Sequence, residues 1–271
     1  MIYNIMFINF CITGRLGNAI FRYMASVIMC IYYNGTYTIN NKQICNCKDE
    51  QFIEIIKNII NKKHIPIKET SLKFNKVGIN MTCYYQHDLI YKLHKRQILD
   101  FIKIHSDHYV LTDGVNAGDK NYEKFYMIDI INTPLTFNKK YKNVLHIRLE
   151  DFVTHNLFLN VERIIDLLKK NILSDSLCIV CKKPITDFEN NYIKQLTNYL
   201  SNKKIGFFIE HNDTLTDYYI MKEAELLICS KSTLSWCAAF FSDKIQKCYL
   251  PDYTETPNST CKYPIDNTEL Y

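Results

Sequence analysis

Lys142-Asn143-Val144-Leu145-His146-Ile147-Arg148 is followed by a helix-like run, Asn160 to Asn171, then by Ser176-Leu177-Cys178-Ile179-Val180-Cys181 and a second helix-like run, Asp187 to Ser201. The alternation continues with Gly206 to Glu210 as strand, Thr214 to Ala224 as helix, Leu226 to Ser230 as strand, Ser235 to Ser242 as helix and Gln246 to Leu250 as strand. Short strands that are apolar on both sides need helices over both faces, so the pattern predicts a parallel sheet in a Rossmann-like unit. Ligands of such sheets sit beyond the carboxyl ends of the strands.

Working outward, the N-terminal half opens in the same manner. A strand from Ile2 to Thr13 meets a tight turn, then a helix from about Asn18 to Tyr32. Ala19, Ile20, Phe21, Met24, Val27, Ile28 and Ile31 make that helix apolar on nearly every side, so it is expected to be buried. Further strands are expected at Thr36 to Ile39 and Met81 to Tyr85, and further helices at Glu50 to Lys62 and His87 to Ile104. Pro134 and the basic, aromatic stretch Phe137 to Tyr141 mark the crossing between halves. The expected architecture is α/β: two Rossmann-like domains facing a cleft, residues 1–140 and 141–271, with the tail able to return to the first domain.

Composition narrows the function classes. Of 271 residues, 47% are hydrophobic and 23% charged, which predicts a packed core and excludes a disordered chain. A net charge of +5 supports a local anion site rather than a face for nucleic acid. The 11 Cys are odd in number and scattered, so reduced, buried thiols are expected. Cys45-Asn46-Cys47 and Cys178-Ile179-Val180-Cys181 are read in the same way, the second pair lying in a buried strand rather than at a helix start. His105-Ser106-Asp107-His108 closes a helix, where its C-terminus favours the imidazoles without metal. The apolar opening Met1 to Ile12 lacks a basic leader region and is too short for a bilayer span. It reads as a strand, and the expected compartment is cytoplasmic.

Three loops stand where strand gives way to helix. In Thr13-Gly14-Arg15-Leu16-Gly17-Asn18, two of the chain's 7 Gly imply positive φ or a close backbone approach, either as a plain turn or as a phosphate loop at a helix N-terminus. In Val144 to Asp151, alternation puts His146 and Arg148 on one side of a strand at its carboxyl end. Two readings stand there: a guanidinium fork for a diphosphate, or Arg148 paired with Glu150 or Asp151 beside a satisfied core His146. In Ser230-Lys231-Ser232-Thr233-Leu234-Ser235-Trp236, hydroxyls either cap the helix, donate to phosphate oxygens, or both.

Together the loops resemble a known family, the α-1,2-fucosyltransferases and their relatives, which are inverting transferases using GDP-L-fucose. Gly14-Arg15-Leu16-Gly17-Asn18-Ala19-Ile20-Phe21-Arg22-Tyr23 resembles the family's Gly-Gly-Leu-Gly-Asn-Gln-Met-Phe-Gln-Tyr. His146-Ile147-Arg148-Leu149-Glu150-Asp151-Phe152 resembles His-Ile-Arg-Arg-Gly-Asp-Tyr, and Ser230-Lys231-Ser232-Thr233-Leu234-Ser235-Trp236-Cys237-Ala238-Ala239 resembles Ser-Asn-Ser-Thr-Phe-Ser-Trp-Trp-Ala-Ala. Tyr84-Tyr85-Gln86 is a softer match, and all four fall in the family's order.

The resemblance implies a GT-B fold and a GDP-sugar donor, with a glycan hydroxyl as acceptor. It implies that Arg148 holds the β-phosphate, that Gly14, Gly17 and Asn18 approach the diphosphate and sugar, and that Ser232 and Thr233 complete the phosphate pocket. Arg148 would stabilise departing GDP; His146, Glu150 and Asp151 are candidate acceptors of the hydroxyl proton. No cofactor is implied, and the lack of any Asp-x-Asp fits a metal-independent route. The chain departs from the family at Leu149, where the second Arg would stand, and at Glu150, where Gly would stand. Those departures keep open a different nucleotide sugar, or a non-catalytic relative that binds nucleotide sugar or glycan.

Overall fold

The computed structural model describes residues 6–10, 14–33, 35–39, 45–47, 52, 54, 78–81, 88–112, 122–171, 176–252 and 263–271. The chain divides into two units, Met1–Ile130 and Ile131–Tyr271.

In the first unit, strands β1 (Met6–Phe10), β2 (Gly35–Ile39), β3 (Cys45–Cys47) and β4 (Gly78–Met81) form a sheet in the order β2-β1-β4-β3. All three pairings are parallel. Helix α1 (Leu16–Tyr33) packs on β1 and β2, and Ile20, Phe21, Met24, Val27 and Ile28 are fully buried, as the all-round apolar pattern predicts. Helix α2 (Asp88–Ile104) contacts α1 through a buried stripe of Ile90, Tyr91, Ile98 and Ile102. Strand β4 ends where the sequence pattern placed a strand's beginning. Most of the expected helix from Glu50 to Lys62, and all of Tyr84-Tyr85-Gln86, lie outside the described residues. An antiparallel hairpin of β5 (Tyr109–Thr112) and β6 (Glu123–Tyr126), not foreseen from sequence, precedes the short helix α3 (Met127–Ile131).

The second unit begins earlier than the expected boundary at 140/141. Lys139 Nζ and Tyr141 OH both donate to Glu210, at 2.7 and 2.5 Å, Phe137 packs edge-on against Tyr219, and buried Lys222 donates to the Ile131 carbonyl. These contacts tie the connecting segment to the second unit. Its sheet holds β7 (Asn143–His146), β8 (Leu177–Val180), β9 (Phe207–Glu210), β10 (Leu226–Ile228), β11 (Lys247–Leu250) and β12 (Thr268–Leu270), in the order β12-β11-β10-β7-β8-β9. Every pairing is parallel. The end of the chain joins this sheet: β12 pairs with β11, and Tyr271 OH donates to the Cys229 carbonyl.

Between β7 and β8 run the short helix α4 (Glu150–Thr154) and the amphipathic α5 (Val161–Lys170). Asn160 caps α5 by accepting from Glu162 N, and Val161, Ile164, Leu167 and Leu168 form its buried stripe. Helix α6 (Asp187–Asn202) starts at a capping box in which Thr186 and Glu189 satisfy each other's backbone donors. Both helices pack on Leu145, Leu177 and Ile179 in one apolar cluster. Each such side chain contributes about 1.5 to 3 kcal/mol on burial, so the strand–helix alternation is also the main source of stability. Helix α7 (Thr214–Lys222), capped by Asp213, touches β7 and β8 and lies against α8 (Thr233–Phe241), which is buried from Ser235 onward. Cys178, Cys181, Cys229, Cys237 and Cys248 are buried free thiols, as expected.

Candidate functional site

The chain winds outward through β7, β8 and β9, then crosses back to add β10, β11 and β12 on the other side of β7. The direction of winding reverses between β7 and β10, and in an open parallel sheet the crevice at the carboxyl ends of those two strands is where ligands bind. The second and third sequence motifs both leave the sheet at that point.

Alternation carries past the end of β7. Leu145, Ile147 and Leu149 all enter the apolar cluster, which turns His146 and Arg148 to the other side. His146 is buried, and its Nδ1 lies 2.9 Å from Ser230 Oγ at the end of β10, joining the two strands across the reversal point. Burial first, then the nearby cations of Arg148 and Lys182, push the imidazole pKa down to about 3. His146 is therefore a neutral, hydrogen-bonded ring. It is far too weakly basic to serve as the expected proton acceptor near neutral pH.

Arg148 is only 14% exposed, and its side chain is engaged by its own loop. Nη2 donates to both carboxylate oxygens of Asp151 at 3.1 Å, Nε reaches Oδ1 at 3.4 Å, Glu150 Oε2 stands 4.0 Å from Nε, and the guanidinium lies 4.5 Å from the Phe152 ring centre. The internal pairing weighed from sequence is thus the one present. Asp151 neutralises part of the charge a diphosphate would meet, both its oxygens accepting from Arg148. Leu149 is buried in the apolar cluster, so position 149 adds no cation to the loop. Glu150 has φ 32, a left-handed backbone that Gly adopts freely, at the position where the resembled family carries Gly.

The third motif divides its roles. Ser232 is buried, and its hydroxyl accepts from Leu234 N as the N-cap of α8, a role that uses its lone pair and not its O–H. Thr233 opens the helix and is half-buried, and the positive end of the α8 dipole lies two residues after Ser230, where the motif leaves its strand. Trp236 is a buried core residue stacked on Phe240. In the first unit, Gly14 has φ 86, as a required glycine turn demands. Gly17 lies buried in the first turn of α1, and Asn18 beside it is half-buried.

One residue escaped the sequence reading. Lys182 follows β8 and carries the second cation near His146; its Nζ donates to the Asn212 carbonyl at 2.8 Å and sits 3.7 Å from Asp217 Oδ2. Asp217 also accepts from Asn212 Nδ2 at 3.1 Å, and burial drives its carboxyl pKa up to about 6. The Lys182-Lys183 pair directly after an apolar strand was the available signal. Arg148, Lys182 and the α8 N-terminus thus give the carboxyl ends of β7, β8 and β10 the makings of an anion site. Among the described residues no group of three or more His, Cys, Asp and Glu is placed to hold a metal ion, and no helix is long and apolar enough to cross a membrane.

No family model and no curated protein matches the chain. Among solved structures it is similar to POFUT1 in complex with GDP-fucose (TM-score 0.45, 10% identity, 92% of this chain and 98% of that one). It is also similar to NodZ alpha-1,6-fucosyltransferase co-crystallized with GDP (0.44, 10%, 88% and 93%) and to a mutant of Arabidopsis thaliana FUT1 in complex with GDP (0.41, 7%, 87% and 68%). Likenesses of that size carry no conclusion about activity.

Proposed function

We propose that the chain is a glycosyltransferase that moves L-fucose from a GDP-sugar to a glycan hydroxyl with inversion, the α-1,2 linkage being the one its motifs favour. One observation carries the reading: two of the three motif loops converge at the winding reversal between β7 and β10, where His146, two residues before Arg148, joins Ser230, two residues before the cap of α8. A parallel sheet binds nucleotides there, and a cation beside a helix N-terminus suits a diphosphate.

In this reading Asp151 fixes the guanidinium, and the positive charge of Arg148 stabilises the β-phosphate as negative charge builds on departing GDP. His146 stays neutral and holds the two strand ends together. The resemblance that assigns Gly14, Gly17 and Asn18 to the diphosphate and sugar belongs to the same reading. The donor itself needs no metal.

The test is calorimetric titration of GDP without divalent cations into the full chain and into Arg148→Ala. A charge-assisted hydrogen bond to phosphate is worth about 1.5 to 3 kcal/mol, so the variant loses roughly ten- to a hundredfold in affinity. Equal affinity in the two proteins would remove Arg148 from the role. The Arg148–Asp151 pair and buried Leu149 favour a second reading, a relative that binds the nucleotide sugar without turning it over. Fucose transfer from GDP-fucose to any glycan acceptor excludes it.

A further inference from the structure

On the helix layer of the second unit, the loop after α4, the start of α5 and the N-terminal half of α6 line an open pocket of about 430 Å³. That volume falls within the about 300 to 1,000 Å³ of small-molecule sites. Its lining includes Asn156, Phe158, Glu162, Phe188, Asn191 and Gln195. The aromatic part is fixed: Phe158 and Phe188 meet edge-to-face at 5.1 Å, and Tyr192 beneath them donates to the Leu159 carbonyl at 2.8 Å. Phe188 nonetheless leaves 43% of its surface open.

Around that ring the carboxamides of Asn156, Asn191 and Gln195 make no hydrogen bond to any described residue, whereas neighbouring Asn190, outside the lining, is held by the Thr186 carbonyl. Each carboxamide offers a donor and an acceptor side by side, the complement of a pair of sugar hydroxyls that must both donate and accept. The single charged side chain, Glu162, can accept from further hydroxyls. An open aromatic face serves the apolar side of a pyranose ring. Asn160, the fourth carboxamide of the lining, is engaged as the cap of α5, and a lining of four carboxamides, one carboxylate and no cation favours a neutral, hydroxyl-rich ligand.

We propose that this cavity is a carbohydrate-binding site for neutral glycans, separate from the crevice between β7 and β10. The site does not depend on the nucleotide reading and stands or falls by itself. The experiment is saturation-transfer NMR and titration of the full chain with lactose, cellobiose and N,N′-diacetylchitobiose, with an uncharged Gly-Ser hexapeptide as the rival probe. The double variant Asn191→Ala with Gln195→Ala alters two exposed helical positions, so its circular dichroism stays that of the parent. Its affinity for the disaccharide falls about tenfold, the loss expected for two hydrogen bonds. Phe188→Ala lowers binding by a second route, while the GDP affinity of the double variant is unchanged. No binding of any disaccharide, equal binding by the double variant, or binding of the peptide in place of the sugars would each overturn the proposal. Arg148→Ala retains the disaccharide response, which separates failure here from failure of the nucleotide reading.

Discussion

Glu150→Gly is the most informative single substitution, because two physical effects meet at that residue. Its φ of 32 lies in the left-handed region, which costs a residue with a Cβ roughly 1 to 2 kcal/mol. Glycine relieves that strain but loses more conformational entropy on folding, about 0.5 to 1 kcal/mol. The net gain is therefore about 0 to 1.5 kcal/mol, or a melting temperature up to about 6 °C higher in a protein of this size. The Glu150 contact with Arg148 is 4.0 Å long and 29% exposed, so its loss removes no more than about 0.5 kcal/mol. Glu150→Gln separates the two effects: it keeps the strained backbone, removes the charge, and leaves the melting temperature within about 2 °C of the parent. Both substitutions delete a carboxylate beside the proposed diphosphate, so both strengthen GDP binding severalfold at low ionic strength. That gain fades at 1 M salt, where the screening length is about 3 Å. Calorimetric melting and GDP titration read both effects. If Glu150→Gly melts at or below the temperature of Glu150→Gln, the strain account fails; if neither changes GDP affinity at low salt, the diphosphate is not bound near Arg148.

The remaining predictions concern groups whose protonation is displaced by folding. His146 has its pKa pushed down to about 3 from 6.5, so the unfolded chain takes a proton before the native one does, and stability falls as pH drops from about 6.5 toward 3. His146→Gln lacks that contribution, and in the parent the His146 ring resonances do not titrate between pH 5 and 8 by NMR; a midpoint near 6.5 would contradict its burial. Asp217 has the opposite sign: its carboxyl is raised to about 6 from 3.8, so the native state holds its proton longer and stability falls as pH rises from about 4 to 6. Asp217→Asn removes that fall, and melting curves that keep the parent's slope would refute it. Ser230→Ala strands the buried His146 Nδ1 and costs about 1 to 3 kcal/mol in denaturant unfolding; a loss under 0.5 kcal/mol would mean that the hydroxyl is not its partner.

The second unit was largely legible because its local signals agree with its tertiary structure. Asn160 and Asn171 flank α5 where the pattern placed its limits, Thr186 and Glu189 start α6, and Leu177 to Val180 are buried as a two-sided apolar strand must be. Strand ends were overrun, since Ile147 and Leu149 remain apolar after β7 has stopped pairing. β12 escaped notice because its three residues, Thr268 to Leu270, are mostly polar and gain strand structure only from β11. The β5–β6 hairpin escaped because Glu123 to Tyr126 is largely exposed and has no buried face to set a period of two. At the site, the Arg148–Asp151 pair could be foreseen from its spacing of three residues. The His146–Ser230 bond spans 84 positions and could not, because only the order of strands in the sheet brings its partners together.

The strand order also bears on how the protein is made. β7, β8 and β9 leave the ribosome in sequence and can zip together at once, but the other edge of β7 has no neighbour until β10 emerges about 80 residues later. At translation speeds of about 5 to 20 residues per second, the nascent chain carries that edge uncovered for roughly 4 to 16 s. Val144 and Leu145, fully buried in the finished sheet, lie on it, and an uncovered apolar edge is a template for wrong pairing with another nascent chain. Slower elongation between Arg148 and Leu226 lengthens that interval, so yield in a recombinant host depends on codon choice there and on chaperone supply.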